Sequence, residues 1–181
     1  VASYYYLVAS LPMLRFDEDP PITRDQFLQS CHAALGSADY AVIERLSAGQ
    51  MIEVTEKSGY LWSYLQIQQK VSSSLHRYRA RALSRTETSD NESALPDVAI
   101  EELVKQAMQA EHPLAAELLL MRFYWDAAES LKQMRVFSIE VLYTYAIQLA
   151  LLERKALFTP LEGNAEFKRL FSNLQSIIKS I

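Results

Sequence analysis

Arg77, Arg81 and Arg85 recur at every fourth residue of a 181-residue chain, beside His76. On a helix that spacing puts all three on one face, with Arg79 pointing to nearly the opposite side. A stripe of guanidinium groups suits phosphates or a carboxylate-bearing partner surface. The competing reading is a solvated helix end, where cations also complement the helix dipole. Asp17-Glu18-Asp19 offers three carboxylates to a divalent cation. It lacks the ligand ladder, the sixth-position glycine and the closing bidentate glutamate of an EF-hand, so the residues favour a solvated acidic loop. Glu117, Asp126, Glu129, Glu140 and Glu153 raise the idea of a di-iron bundle, which needs paired Glu-x-x-His motifs; the sequence holds no Glu-x-x-His. Cys31 and His32 are neighbours, and adjacent helical residues do not face each other, so only His76 or His112 remains as an imidazole partner for the thiol. Trp62 and Trp125, set among Tyr60, Tyr64, Phe123 and Tyr124, read either as a binding cage or as packing anchors between helices; the latter is favoured.

These residues make no catalytic motif, and neither a cofactor nor a metal is expected. Composition narrows the function further. Only four glycines occur, against a usual share of about 7%. Phosphate-cradling loops, tight hairpins and nucleophile elbows all draw on glycine. With 18 basic and 22 acidic residues the net charge is −4, which weighs against a dedicated nucleic-acid or anionic-membrane binder. A single cysteine excludes an intramolecular disulfide and a cysteine-rich zinc site, and suits a reducing cytoplasm. The longest charge-free runs, Val1 to Leu14 and Val141 to Leu152, fall short of the ~20 apolar residues of a spanning helix, so no direct membrane insertion is expected. The first run has no basic region before it and three consecutive tyrosines, and reads as part of the fold rather than as a leader.

The elements that must position these groups are helices. The expected class is all-α, a bundle of about seven packed helices in a single domain of residues 1–181, with the polar stretch 84–96 as a candidate boundary between two helical halves. Tyr4 to Leu11 reads as a short helix, with an opening strand as the alternative. Thr23-Arg24-Asp25-Gln26 has the form of a capping box, and its helix closes at Gly36. Ser37 is placed as the next cap, and Gly49 as a turn. The longest helix runs from Ile52 or Gly59 to Leu83. Pro96 or Asp97 starts the next, which stops near Glu111-His112. Pro113 fits the first turn of its successor. Ser138 is placed as the cap of a helix reaching Phe158, whose middle, VLYTYAIQLALL, is apolar nearly all round and therefore belongs inside the bundle. A last amphipathic helix is expected over 165–178.

The opening Tyr4-Tyr5-Tyr6-Leu7-Val8-Ala9-Ser10-Leu11-Pro12-Met13-Leu14, with Phe16-Asp17-Glu18-Asp19-Pro20-Pro21 after it, resembles the start of a bacterial family encoded among the V-type ATPase subunit genes of spirochaetes, Bacteroidetes and chlamydiae. Pro113 to Glu117, Arg122 to Asp126, Tyr145 to Leu149 and Leu152 to Arg154 are similar to the same family. The resemblance spans most of the chain outside 84–96, and it brings no assigned catalytic or binding residues. A fainter similarity, in an early Tyr-x-x-Ala-like helix followed by a capped Phe27-Leu28 helix, is to the all-helical central-stalk C subunit of archaeal-type enzymes. That subunit is longer and carries a threefold repeat not visible here. The resemblance therefore implies a shortened relative or an accessory factor. The expectation is a non-catalytic subunit or assembly factor of a rotary V-type ATPase. Its partners would be the ATPase subunits rather than nucleic acid. It would be cytoplasmic, held at the inner membrane only through the complex. Arg77, Arg81 and Arg85 are the candidate partner-binding residues. The alternative is a helical nucleic-acid-binding or regulatory module using the same stripe.

Overall fold

A helix without a polar face needs neighbours on every side, and the run at 141–152 has them. A computed structural model describes residues 4–50, 59–82, 97–133 and 135–158. The described residues form seven helices and no strand: α1 (Tyr5–Ser10), α2 (Arg24–Ala34), α3 (Ser37–Ser47), α4 (Gly59–Ala82), α5 (Val98–Met108), α6 (Pro113–Lys132) and α7 (Ile139–Ala156). The fold is an all-α bundle. Every residue of α7 from Leu142 to Leu149 is buried, as is Leu152. Around it lie Leu7 of α1, Phe27 and Cys31 of α2, Ile43 and Leu46 of α3, Tyr60 and Tyr64 of α4, and Ala128 of α6.

Pairings fix the directions. Ala128 with Thr144, Glu129 with Gln148 and Glu117 with Arg154 make α6 and α7 an antiparallel hairpin. Tyr60 with Ala128 and Tyr64 with Tyr124 set α4 antiparallel to α6. Lys70 with Asp97, then Arg77 with Glu101, step the same way along α4 and α5. A second, smaller core forms where α5 meets the far halves of α4 and α6: Val71, Ile100 and Val104 are buried, backed by Leu75, Tyr78, Leu120 and Phe123. Both α4 and α6 thus run through both cores. Of the stretch 84–96, no residue is among those described, and the amphipathic pattern at 165–178 lies outside them as well.

Local chemistry explains most helix ends. The Thr23 box closes in both directions: Thr23 Oγ1 accepts from Gln26 N at 3.3 Å, and Gln26 Oε1 accepts from Thr23 N at 2.9 Å. Asp97 caps α5 by accepting from Ala99 N. Pro113 occupies the first turn of α6, and His112 Nδ1 accepts from Ala115 N at 3.1 Å. Gly49 and Gly59 take positive φ (+65° and +84°), which side chains with a Cβ resist. The opening segment is a helix, and the long helix starts at Gly59, with 51–58 outside the described residues.

Five expectations shift. Gly36 does not close α2, which ends at Ala34; with φ −70° it is itself the cap residue of α3, so Ser37 is already helical. Ser138 stands at the start of α7 but makes no cap bond, and its hydroxyl is buried with no hydrogen-bond partner among the described residues. Finally, α5 stops at Met108 and α7 at Ala156, each short of the expected end.

Burial and capping each predict a stability change. Leu149 is fully buried, so Leu149→Ala is expected to cost about 2–5 kcal/mol in urea unfolding, from lost transfer energy plus the cavity. The two cap positions should behave oppositely. Thr23→Ala should cost about 0.5–2 kcal/mol. Ser138→Ala, which removes an unsatisfied hydroxyl, should leave stability within about 0.5 kcal/mol or raise it; a loss as large as that at Thr23 would show that the hydroxyl does cap.

Candidate functional site

The arginine stripe is partly spoken for within the chain. Arg77 Nη2 donates to Glu101 Oε1 across the α4–α5 contact, and Ser74 Oγ donates to the same oxygen at 3.0 Å. Arg77 therefore acts as a clip between two helices. Arg81 is exposed in the last turn of α4, as is Arg79, and Arg85 lies outside the described residues. His76 is exposed beside them.

The acidic loop is less loosely held than its composition suggests. Phe16 has two cations near its ring, with Arg122 Cζ 5.1 Å and Lys155 Nζ 5.0 Å from the centroid, and it meets Trp125 in an edge-type contact at 5.6 Å. Lys155 Nζ also donates to the Phe16 carbonyl oxygen, and Arg122 lies 3.6 Å from Asp17. Cation–aromatic attraction of this kind contributes ~0.5–2 kcal/mol per contact. Trp125 is thus a packing anchor. Asp17, Glu18 and Asp19 remain exposed.

The scattered carboxylates do not converge. Glu117 pairs with Arg154, Asp126 with Arg122, and Glu140 with Arg135, while Glu129 takes both Lys132 and Gln148. Glu153 accepts from Arg24 N at 2.9 Å, placing a negative charge on the N-terminus of α2. Among the described residues, no group of three or more His, Cys, Asp or Glu side chains is placed to hold a metal ion. Nor is any described helix long and apolar enough to cross a membrane.

Cys31 is wholly buried in the main core. Burial pushes its thiol up to about 12, the opposite of what a nucleophile needs. His32 is exposed, turned edge-on to Tyr40 at 5.2 Å. The buried tyrosines shift the same way. Burial raises Tyr143 and Tyr145 to about 12, and raises Tyr60 and Tyr64 as well.

Among the described residues, two recesses and one patch stand out. A groove of about 180 Å³ lies between α3, α4 and α7, lined by Leu61, Leu65, Ile147, Leu151 and Arg154 among others. A cleft of about 300 Å³ separates the α1 segment from α6 and α7; it exposes Glu129, Lys132 and Gln148, which already bond among themselves. The patch is aromatic. Tyr5 packs on Phe137 at 4.5 Å and on Tyr6 at 5.5 Å, and Val136 lies beside Phe137 in the chain; all four are exposed, Tyr6 at 80%. The three-tyrosine run announced aromatic density; that Phe137 would join it from the far side of the α6–α7 turn had no sequence signal.

No protein-family model, curated protein or solved structure matches the chain.

Burial of Cys31 and the tyrosines sets an alkaline limit. Below the ordinary values, 9.0 for the thiol and 10.0 for the phenols, folded and unfolded chains hold the same protons. As pH climbs through that range toward 12, the unfolded chain releases protons the fold retains, so stability falls with rising pH. Chemical unfolding at stepped pH should show that decline, with tyrosinate absorbance rising together with unfolding. At about pH 8.5, alkylation of Cys31 by iodoacetamide should be slower by on the order of tenfold or more in the native chain than in urea. Equal rates would mean that the thiol is open to solvent.

Proposed function

We propose that this chain is a non-catalytic subunit or assembly factor of a bacterial V-type rotary ATPase, acting by protein–protein contact and held at the inner membrane through the complex. The observation that carries the reading is how its opening motif divides. Tyr4 and Leu7 turn inward: Tyr4 Oη donates to Asp39 at 2.9 Å, and Leu7 joins the main core. Tyr5 and Tyr6 turn outward into the aromatic patch with Phe137. Of the four residues Tyr4 to Leu7 that open the motif resembling the ATPase-linked family, two therefore serve the fold and two are offered to solvent. Exposed clustered aromatics are costly to leave in water and are what interface centres favour. A shortened counterpart of the central-stalk C subunit is one form of this role.

The alternative is a nucleic-acid-binding or regulatory module using Arg77, Arg81 and Arg85. The bond from Arg77 to Glu101 and the net charge of −4 weigh against it.

Native pull-down through this chain, from solubilised membranes of a bacterium that carries it, should recover ATPase subunits. The double variant Tyr6→Ser/Phe137→Ser should cut that recovery by on the order of tenfold or more, the loss of one hot spot, with Tm nearly unchanged. Recovery of free monomer only, with ATPase assembly intact after deletion of the gene, would defeat the proposal.

A further inference from the structure

Among the described residues, no backbone–backbone hydrogen bond ties Phe16 to the bundle. The chain on either side of it is pinned. Leu14 and Ile22 pack against the main core, and Tyr145 Oη donates to the Pro12 carbonyl at 3.1 Å. Between those anchors, the tongue 15–21 makes a single backbone–backbone bond, from Glu18 N to Arg15 O at 3.3 Å, and that bond lies within the tongue. What holds the tongue to α6 and α7 is side-chain chemistry: the two cations at the Phe16 ring, the Trp125 contact, the Lys155 bond to the Phe16 carbonyl and the Arg122–Asp17 pair. The Asp17 side chain is 88% exposed and that of Arg122 49%, so salt and water reach the pair. The receiving surface is built independently of the tongue. Trp125 is buried in α6, Lys155 stands in the last turn of α7, and Arg122 keeps a second carboxylate, Asp126, on its own helix. A surface fixed in this way loses little freedom when it is occupied. The tongue carries the complementary chemistry, an aromatic ring followed by Asp17, Glu18 and Asp19.

We propose that Arg122, Trp125 and Lys155 form a recognition surface for an aromatic residue followed by carboxylates, and that the tongue is its built-in, exchangeable occupant. A partner segment of the same chemistry displaces Phe16 and Asp17, while Leu14 and Ile22 keep the tongue attached to the bundle. The ring supplies the contacts to Trp125 and the cations, and the carboxylate supplies the ion pair. An acidic segment without a ring gains only exposed ion pairs, which contribute little. Occupancy is a competition between a tethered and a free ligand, set by the effective concentration of the tether. This inference is independent of any ATPase association.

Trp62→Phe leaves Trp125 as the sole tryptophan, and its quenching by acrylamide as the readout in the full chain. Raising salt from about 0.01 M to about 1 M shortens the screening length from about 30 Å to about 3 Å, and should increase that quenching by roughly twofold or more. Far-UV circular dichroism should not change. Adding Phe16→Ser/Asp17→Ser empties the surface and should give the same increase at low salt, with melting still cooperative. A capped peptide of residues 14–21, at a few millimolar and so on the order of the effective concentration of a short tether, should then restore protection. The same peptide with Phe16→Ser should not protect, nor should the unaltered peptide once Arg122→Gln/Lys155→Gln is added. Quenching indifferent to salt, or to the tongue substitutions, overturns the proposal, because Phe16 would then be no exchangeable cover. A tongue variant that no longer melts cooperatively also overturns it, since the tongue would then be part of the core. So does a peptide that fails to protect, or whose serine version protects equally, which would mean that the surface does not read a ring followed by carboxylates.

Discussion

The fold depends on one unusual helix. An ordinary bundle helix keeps a polar face toward water; α7 buries eight consecutive residues and therefore needs contacts on every side. Helices α1, α2, α3, α4 and α6 supply them. A fully buried leucine contributes about 1.5–3 kcal/mol, so the central run has a large share in stability. Two polar residues ride inside it, and each is satisfied. Thr144 Oγ1 lies 2.9 Å from both the Tyr60 hydroxyl and the Glu140 carbonyl oxygen, while Tyr60 donates to the Ala128 carbonyl at 3.3 Å. Gln148 donates to Glu129. These bonds also set the register of α4 and α6 against α7, because a one-turn slip of either helix would strand a buried hydroxyl or amide.

The features legible in the sequence are local or periodic. The capping box at Thr23, the proline at the first turn of α6 and the apolar run in α7 each declare themselves within a few residues. The features hidden from it depend on distant partners. Arg77 looks like surface charge until α5 brings Glu101 to it. Phe16 looks like one apolar residue in an acidic loop until Arg122 and Lys155 come to its ring. Ser138 has the right residue type at the right place, yet its side chain turns into the protein and caps nothing. Gly36 has the residue type that ends helices, but its backbone serves the start of α3. The aromatic patch belongs with these: half of it is visible as the tyrosine run, and Phe137 joins only through the antiparallel turn of α6 and α7.

The candidate surfaces differ in how firmly the fold holds them. The smaller core, with three buried residues, ties α5 to the far halves of α4 and α6, and Arg77 and Arg81 sit at that end. Few buried apolar contacts mean a lower free energy of local opening. At the opposite end, Tyr5 is on the helix that inserts Leu7 into the main core, and Phe137 lies just before α7. Aromatic anchors contribute to binding in proportion to how little they must be ordered on contact, since each side chain immobilised at an interface costs about 0.5–1.5 kcal/mol. Tyr5 and Phe137 are already stacked and backed by the rigid part of the bundle, whereas Arg81 is a long exposed side chain in the last turn of its helix. On that ground the tyrosine end, rather than the arginine end, is the surface better suited to hold a partner.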